Sequence, residues 1–319
     1  MGILDVMVTL WPSFPHFGKF ADDERLSGIR LNSAMINNPE LENELGLIKS
    51  SSHKVPLYFD VKGRQLRVKE VHLNPDYLDI TLNHPVRTET PMVVLFKAGE
   101  DQAVLARVEE EGRRLIFDGG PGYMVDVGES LHIRHPSFEV LGPVFLEEEL
   151  LKIEKVVAAG FDKYYLSYVE TQREVDEFLE LVGKDSEVLL KIETKKGLEY
   201  AVREFKKKDN LFLVAARGDL YVEVDRPHEI VDAMRLLIKA DPEAYVGSRL
   251  LLSIVDSPVP SCADFSDLAW LCDIGYRNFL LCDEICLKDE LLSVAVNVFD
   301  DFRHAYKGGA NVRLEPVTA

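Results

Sequence analysis

From residue 146 to residue 302 the chain alternates between two periods, and few architectures satisfy both. Short apolar runs at 164–169, 188–193, 211–216, 249–255 and 278–283 are separated by stretches of helical spacing. The helical stretches lie at 146–159, 171–182, 198–207, 227–240, 266–273 and 288–302. Strands apolar on both faces and joined by amphipathic helices belong to parallel sheets. Earlier runs at 5–10, 27–32 and 55–61, with a short helix over 22–26 and an acidic helix opening at Pro39, raise the total to about eight strand–helix units. Eight such units predict a (β/α)8 TIM barrel. An open doubly wound sheet is the competing arrangement, but no Gly-rich nucleotide fingerprint follows the first run.

The period changes between residues 68 and 141. Runs such as YLDITL, MVVLFKA, QAVLARVEE and RRLIFDGG alternate with turn residues, and no helical spacing appears. This predicts a small antiparallel β domain inserted after the third strand. The expected organisation is a discontinuous barrel of residues 1–67 and 142–305, an inserted lid-like domain of 68–141, and a loose tail of 306–319.

Composition narrows the function classes. A formal net charge of −18 leaves no basic excess to displace counterions, so no nucleic-acid partner is expected. No apolar run is long enough to span a bilayer, and no membrane partner is expected. The opening MGILDVMVTLW lacks a basic n-region and reads as a first strand rather than a signal peptide, which predicts a cytoplasmic protein. Cys262, Cys272, Cys282 and Cys286 form no CxxC pair and read as buried free thiols. A homo-oligomer would suit a barrel of this kind.

Residues i and i+2 of a strand face the same way. Lys191 and Glu193 therefore share a side at the end of one apolar run, with Asp219 at the end of the next. Two carboxylates beside an ammonium suit Mg²⁺ or Mn²⁺ and a small anionic substrate. The same residues also read as a strand-end salt bridge. Arg30 and Asn32 are likewise two apart, and Asp60 ends the third run. His132, Arg134 and His135, late in the insertion, read as solvated charges that blunt a sheet edge rather than as a lid over a ligand. Tyr165, Tyr168 and Phe178 read as packing.

Lys191-Ile192-Glu193 followed by Ala216-Arg217-Gly218-Asp219-Leu220 resembles the fifth- and sixth-strand signature of the pyruvate kinase family. Val8-Thr9-Leu10-Trp11-Pro12, Gly28-Ile29-Arg30-Leu31-Asn32 and Asp60-Val61-Lys62-Gly63 resemble its first three strands. The resemblance runs from about residue 5 to 302, and the insertion falls where that family carries its lid domain. It implies that Glu193 and Asp219 hold the divalent metal. Lys191 would face the transferring group or enolate oxygen, and Arg30 the substrate phosphate. Asn32 and Asp60 would line a K⁺ site, Arg67 would approach the phosphates of ADP or ATP, and the backbone of Arg217 and Gly218 would meet the substrate carboxylate.

The departures are specific. Ser33-Ala34-Met35 replaces the family's aromatic, Ser and His, which erodes the K⁺ and nucleotide features. The proton-transfer Thr falls near Leu252, with Ser253 as the nearest hydroxyl. No counterpart of the carboxy-terminal regulatory domain is expected. The resemblance therefore implies a metal-dependent enzyme acting on phosphoenolpyruvate, pyruvate or a related 2-oxo acid through a metal-stabilised enolate. Phosphoryl transfer and aldolase or lyase chemistry both fit. A degenerate relative that binds a small acid or regulates a partner is the other reading.

Overall fold

The computed structural model describes residues 4–306. The expected tail therefore lies outside the described residues except for Tyr306. Eight parallel strands close into a barrel in chain order: β1 (Asp5–Thr9), β2 (Gly28–Asn32), β3 (Leu57–Val61), β4 (Lys163–Leu166), β5 (Glu187–Ile192), β6 (Leu211–Ala216), β7 (Tyr245–Gly247) and β8 (Asn278–Leu280). β8 pairs back onto β1, with Asp5 opposite Asn278. This is the (β/α)8 architecture that the two-period pattern predicts.

The strand alternation sorts the side chains. Val188, Leu190 and Ile192 of β5 point outward into the large core shared with the helices. Met7, Tyr58, Tyr165, Leu189, Val214 and Leu280 fill the barrel interior as a second, smaller core. One step further along the same inward rows stand Thr9, Arg30, Asp60 and Lys191, all buried. The interior thus changes from apolar to ionic towards the carboxyl ends of the strands, where barrels of this kind place their chemistry.

Several boundaries differ from the sequence reading. The seventh strand is not 249–255 but the short β7 before it. Ser248, Arg249 and Leu251 take positive φ, and Leu252–Val255 is a 3-10 turn. Leu250, Leu251 and Ile254 remain fully buried. The apolar signal there came from core burial in a turn rather than from a strand. The first short helix is Phe17–Ala21, earlier than expected. The helix after β5 starts at Lys195, where the Thr194 hydroxyl caps Gly197 N–H at 3.0 Å.

Between β3 and the helix Glu147–Ala158 lies the insertion. Six antiparallel strands form its sheet, in the order Leu131–Ile133, Met92–Phe96, Asp101–Glu109, Arg114–Asp118, Asp79–Leu82, Val68–His72. Val86–Arg87 and Glu139–Val140 pair as a small ribbon at its root. It has its own apolar core, built around Leu82, Val94, Phe96, Leu105 and Phe117. The chain leaves the barrel through Gly63, where an added Cβ would stand 2.5 Å from the Ser167 carbonyl, so only glycine fits.

His84, also at the root of the insertion, is fully buried. Burial, then the nearby Arg64 and Arg113, push its pKa down to about 4. The folded state thus keeps a neutral ring, while the unfolded chain takes up a proton below its ordinary value of 6.5. Stability present above pH 6.5 is therefore lost as the pH falls towards 4. The loss should reach roughly 3 kcal/mol. Urea midpoints of wild type and His84→Phe between pH 7 and 4.5 check this, and the variant should show a flatter profile.

Candidate active site

At the carboxyl end of the barrel, one carboxylate sits among three cations. Asp60 Oδ2 lies 2.6 Å from Arg30, 3.2 Å from Lys62 and 3.5 Å from Lys191. Its Oδ1 accepts from the Ser167 hydroxyl at 2.9 Å. Burial alone would raise the Asp60 pKa, but Lys191, Lys62 and Arg30 outweigh it and hold the group well below the carboxylate range. Lys62 is pushed down to about 8 by burial, Asp60 opposing this and Lys191 and Arg30 adding to it.

Lys191 joins this cluster to a second one. Its ammonium donates to Ser167 Oγ at 2.9 Å and lies 3.0 Å from Glu193 Oε1. Glu193 Oε2 accepts from Tyr168 N–H at 2.7 Å. The Tyr168 hydroxyl donates to Asp219 Oδ1 at 3.2 Å. Tyr168 achieves both contacts with φ +57°, a left-handed backbone that costs a non-glycine residue energy. Glu193 is pushed up by burial and by Asp219, with Lys191 opposing. Two carboxylates thus crowd one point beside a single ammonium.

That arrangement fits a small hard cation. Mg²⁺ uses one or two protein carboxylates and completes its shell with water and substrate oxygens. Among the described residues no group of three or more His, Cys, Asp or Glu is gathered for a metal, so a closed all-protein cage is not offered. The K⁺ site fits poorly. The Asp60 carboxylate is fully buried among protein cations, and Asn32 Oδ1 accepts from Ala34 N–H at 3.2 Å.

Arg67 joins the cluster through Gln65: its guanidinium donates to Gln65 Oε1 at 2.8 Å and to the Gly128 carbonyl at 2.6 Å, and Gln65 Nε2 donates to the Tyr168 hydroxyl at 3.4 Å. The Arg217 side chain is held by Asp267 and the Ser248 carbonyl. Arg217 and Gly218 open the short helix Arg217–Glu223, whose first amides lack helical partners. Ser253, the nearest hydroxyl to the missing Thr, accepts from Ser261 N–H and bonds Asp264, in the cap of the following helix.

Other residues arrive unannounced. His132 is buried rather than a solvated edge charge: Nδ1 lies 2.9 Å from Glu223 and Nε2 3.5 Å from Asp219. Burial would lower its pKa, yet Asp219 and Glu223 raise it to about 9. Arg134 donates to the Val224 carbonyl at 3.0 Å. The insertion is therefore docked on the helix after β6. Tyr168 is a bridging residue as well as a packed one. Asp283 accepts from Arg30 Nη1 at 2.8 Å and Asn32 Nδ2 at 3.0 Å. A cleft of about 330 Å³ between insertion and barrel is lined by Arg134, Lys195, Lys196, Glu170 and Glu223, together with Tyr168 and His132.

Known proteins resemble this chain in sequence and in fold. No family model matches the chain. A pyruvate kinase of Methanocaldococcus jannaschii is 27% identical over 285 residues, covering 83% of this chain and 61% of its own length. A pyruvate kinase of Thermoplasma acidophilum is also 27% identical, over 82% of this chain and 51% of its own. The chain is pyruvate kinase-like. It spans about half to three-fifths of the length of these curated relatives. The crystal structure of pyruvate kinase from Pyrobaculum aerophilum matches the fold with a TM-score of 0.75, covering 97% of this chain and 74% of that one at 18% identity. The pyruvate kinase-like barrel thus carries its acidic and basic residues at the strand ends, with the insertion docked above them. Among the described residues no helix is long and apolar enough to cross a membrane.

Proposed function

We propose that this protein is a metal-dependent enzyme acting on a small 2-oxo acid, in the class of pyruvate and phosphoenolpyruvate, at the carboxyl end of the barrel. The observation that carries this reading is the convergence of Lys191, Glu193 and Asp219, with Lys191 3.0 Å from Glu193 and Tyr168 tied to both carboxylates.

Glu193 and Asp219 would hold Mg²⁺ or Mn²⁺. The bound ion supplies positive charge against which a substrate oxygen can become an enolate. Lys191 faces the same point as a preorganised cation, held in place by Ser167 and Asp60. Burial lowers its pKa, but Asp60 and Glu193 more than offset this and keep the ammonium charged. Tyr168 positions both carboxylates. The amides of Arg217 and Gly218 would take the substrate carboxylate. The insertion would limit water by docking through His132 and Arg134.

A reading without phosphoryl transfer, such as 2-oxo acid lyase chemistry or binding alone, has one observation in its favour. Arg30 already spends its guanidinium on Asp60, Asp283 and Thr9. Calorimetry with Mg²⁺, then oxalate, then ADP tests the proposal. Oxalate, a mimic of the pyruvate enolate, should bind only with Mg²⁺ present. Failure of oxalate to bind under any condition would overturn the enzyme reading. Binding of ADP to the Mg²⁺–oxalate complex would favour phosphoryl transfer, and its absence the lyase reading.

A further inference from the structure

Three polar groups at the barrel mouth point at one place: Arg30 Nη1 from β2, Asn32 Nδ2 from the end of β2, and the Thr9 hydroxyl from β1. Both guanidinium and amide are donors only at these atoms, so the place they define takes an anion. It is already filled. Asp283, directly after β8, puts Oδ1 2.8 Å from Arg30 Nη1 and Oδ2 3.0 Å from Asn32 Nδ2. Burial would raise the Asp283 pKa, but Arg30, Thr9 and Asn32 hold it below the usual range, so the group is an anion at neutral pH. The remaining Arg30 nitrogens are taken by Asp60, at 2.8 Å from Nε and 2.6 Å from Nη2. Asp60 is fully enclosed, whereas the Asp283 side chain is 32% exposed. Of the two carboxylates on Arg30, only Asp283 borders solvent and can be displaced.

We infer that Asp283 is a built-in anion that occupies the oxyanion subsite at Arg30, Asn32 and Thr9, and thereby sets substrate choice. A substrate bearing a second anionic group, such as a phosphate, must evict Asp283 to reach Arg30. A monoanionic 2-oxo acid need not, because the proposed Lys191, Glu193 and Asp219 group and the Arg217 and Gly218 amides would hold it without Arg30. Asp283 is a specificity-determining residue. The inference about substrate choice rests on the proposed 2-oxo acid reading, but occupation of the subsite does not.

The test titrates inorganic phosphate into the full chain and into Asp283→Ala, Asp283→Asn and Asp283→Ala/Arg30→Met, with oxalate plus Mg²⁺ as a parallel titration. Thermal unfolding confirms that each variant is folded. Asp283→Ala should bind phosphate at least tenfold more tightly than wild type, and Asp283→Asn should gain less because its amide still fills the space. The double variant should lose the gain. Phosphate affinity of Asp283→Ala within twofold of wild type, or a gain that survives in the double variant, would overturn the inference. If Asp283→Ala does not fold, Asp283→Asn decides alone, with unchanged phosphate affinity overturning it. Oxalate titration separates the two failures. Oxalate binding with no phosphate gain removes only the role of Asp283. A phosphate gain with no oxalate binding removes only the 2-oxo acid reading and leaves the subsite occupied as inferred.

Discussion

Glu193→Gln is expected to abolish divalent-cation binding while the barrel stays folded. The residue is buried beside Asp219, and its two oxygens contact Lys191 and Tyr168 N–H. Glutamine keeps the shape and one carbonyl oxygen, so Tyr168 keeps an acceptor. It removes the negative charge that a hard cation requires. Loss of a residue that merely supports a metal ligand costs roughly 10–100-fold in affinity. Loss of one of only two protein carboxylates should exceed that range. Mn²⁺ titration followed by electron paramagnetic resonance reads the free ion directly. Equal Mn²⁺ affinity in wild type and variant would remove Glu193 from the metal site.

Asp60→Asn should produce the largest loss of stability of any single conservative change at the mouth. The amide is nearly isosteric, but it leaves Arg30, Lys62 and Lys191, all buried, around a neutral group. Removing one partner from a buried ion cluster costs about 3–5 kcal/mol. The linkage has a definite sign. The folded-state pKa of Asp60 is depressed, so its contribution is present above the ordinary carboxylate value of 3.8 and is lost as the pH falls below it. Urea denaturation at pH 7 measures the difference, and a loss under about 1 kcal/mol would contradict the cluster as drawn.

What the sequence made legible follows local periodicity. Lys191 and Glu193 stand two apart on a strand whose alternating neighbours, Leu190 and Ile192, are buried outward. That alternation is visible without coordinates, and so is Asp219 at the end of the next run. Arg30 and Asp60 emerge by the same logic. The eight-unit count also survives local errors, such as the misplaced seventh strand, because each helical stretch still implies a strand before it.

The features that stayed hidden depend on contacts distant in the chain. His132 is read as an edge charge until Glu223, 91 residues later, is placed against it. Asp283 follows a strand of only three residues, and its partners Arg30 and Asn32 lie more than 250 positions earlier. Tyr168 resembles any packed aromatic until its positive φ and its two carboxylate contacts are seen. Arg67 is legible in its motif, but its contacts with Gln65 and the Gly128 carbonyl are not.

The sharing of Asp60 among β2, β3 and β5 bears on how this mouth can change over time. Arg30, Lys62 and Lys191 cannot drift independently, since each sets the electrostatic balance felt by the other two. Double-mutant cycles among them should depart from additivity by about 0.5–3 kcal/mol. A substitution at Lys62 that is harmful in this background would become tolerable once Asp60 had been neutralised. Mutational order would then decide which barrel mouths can be reached from this one.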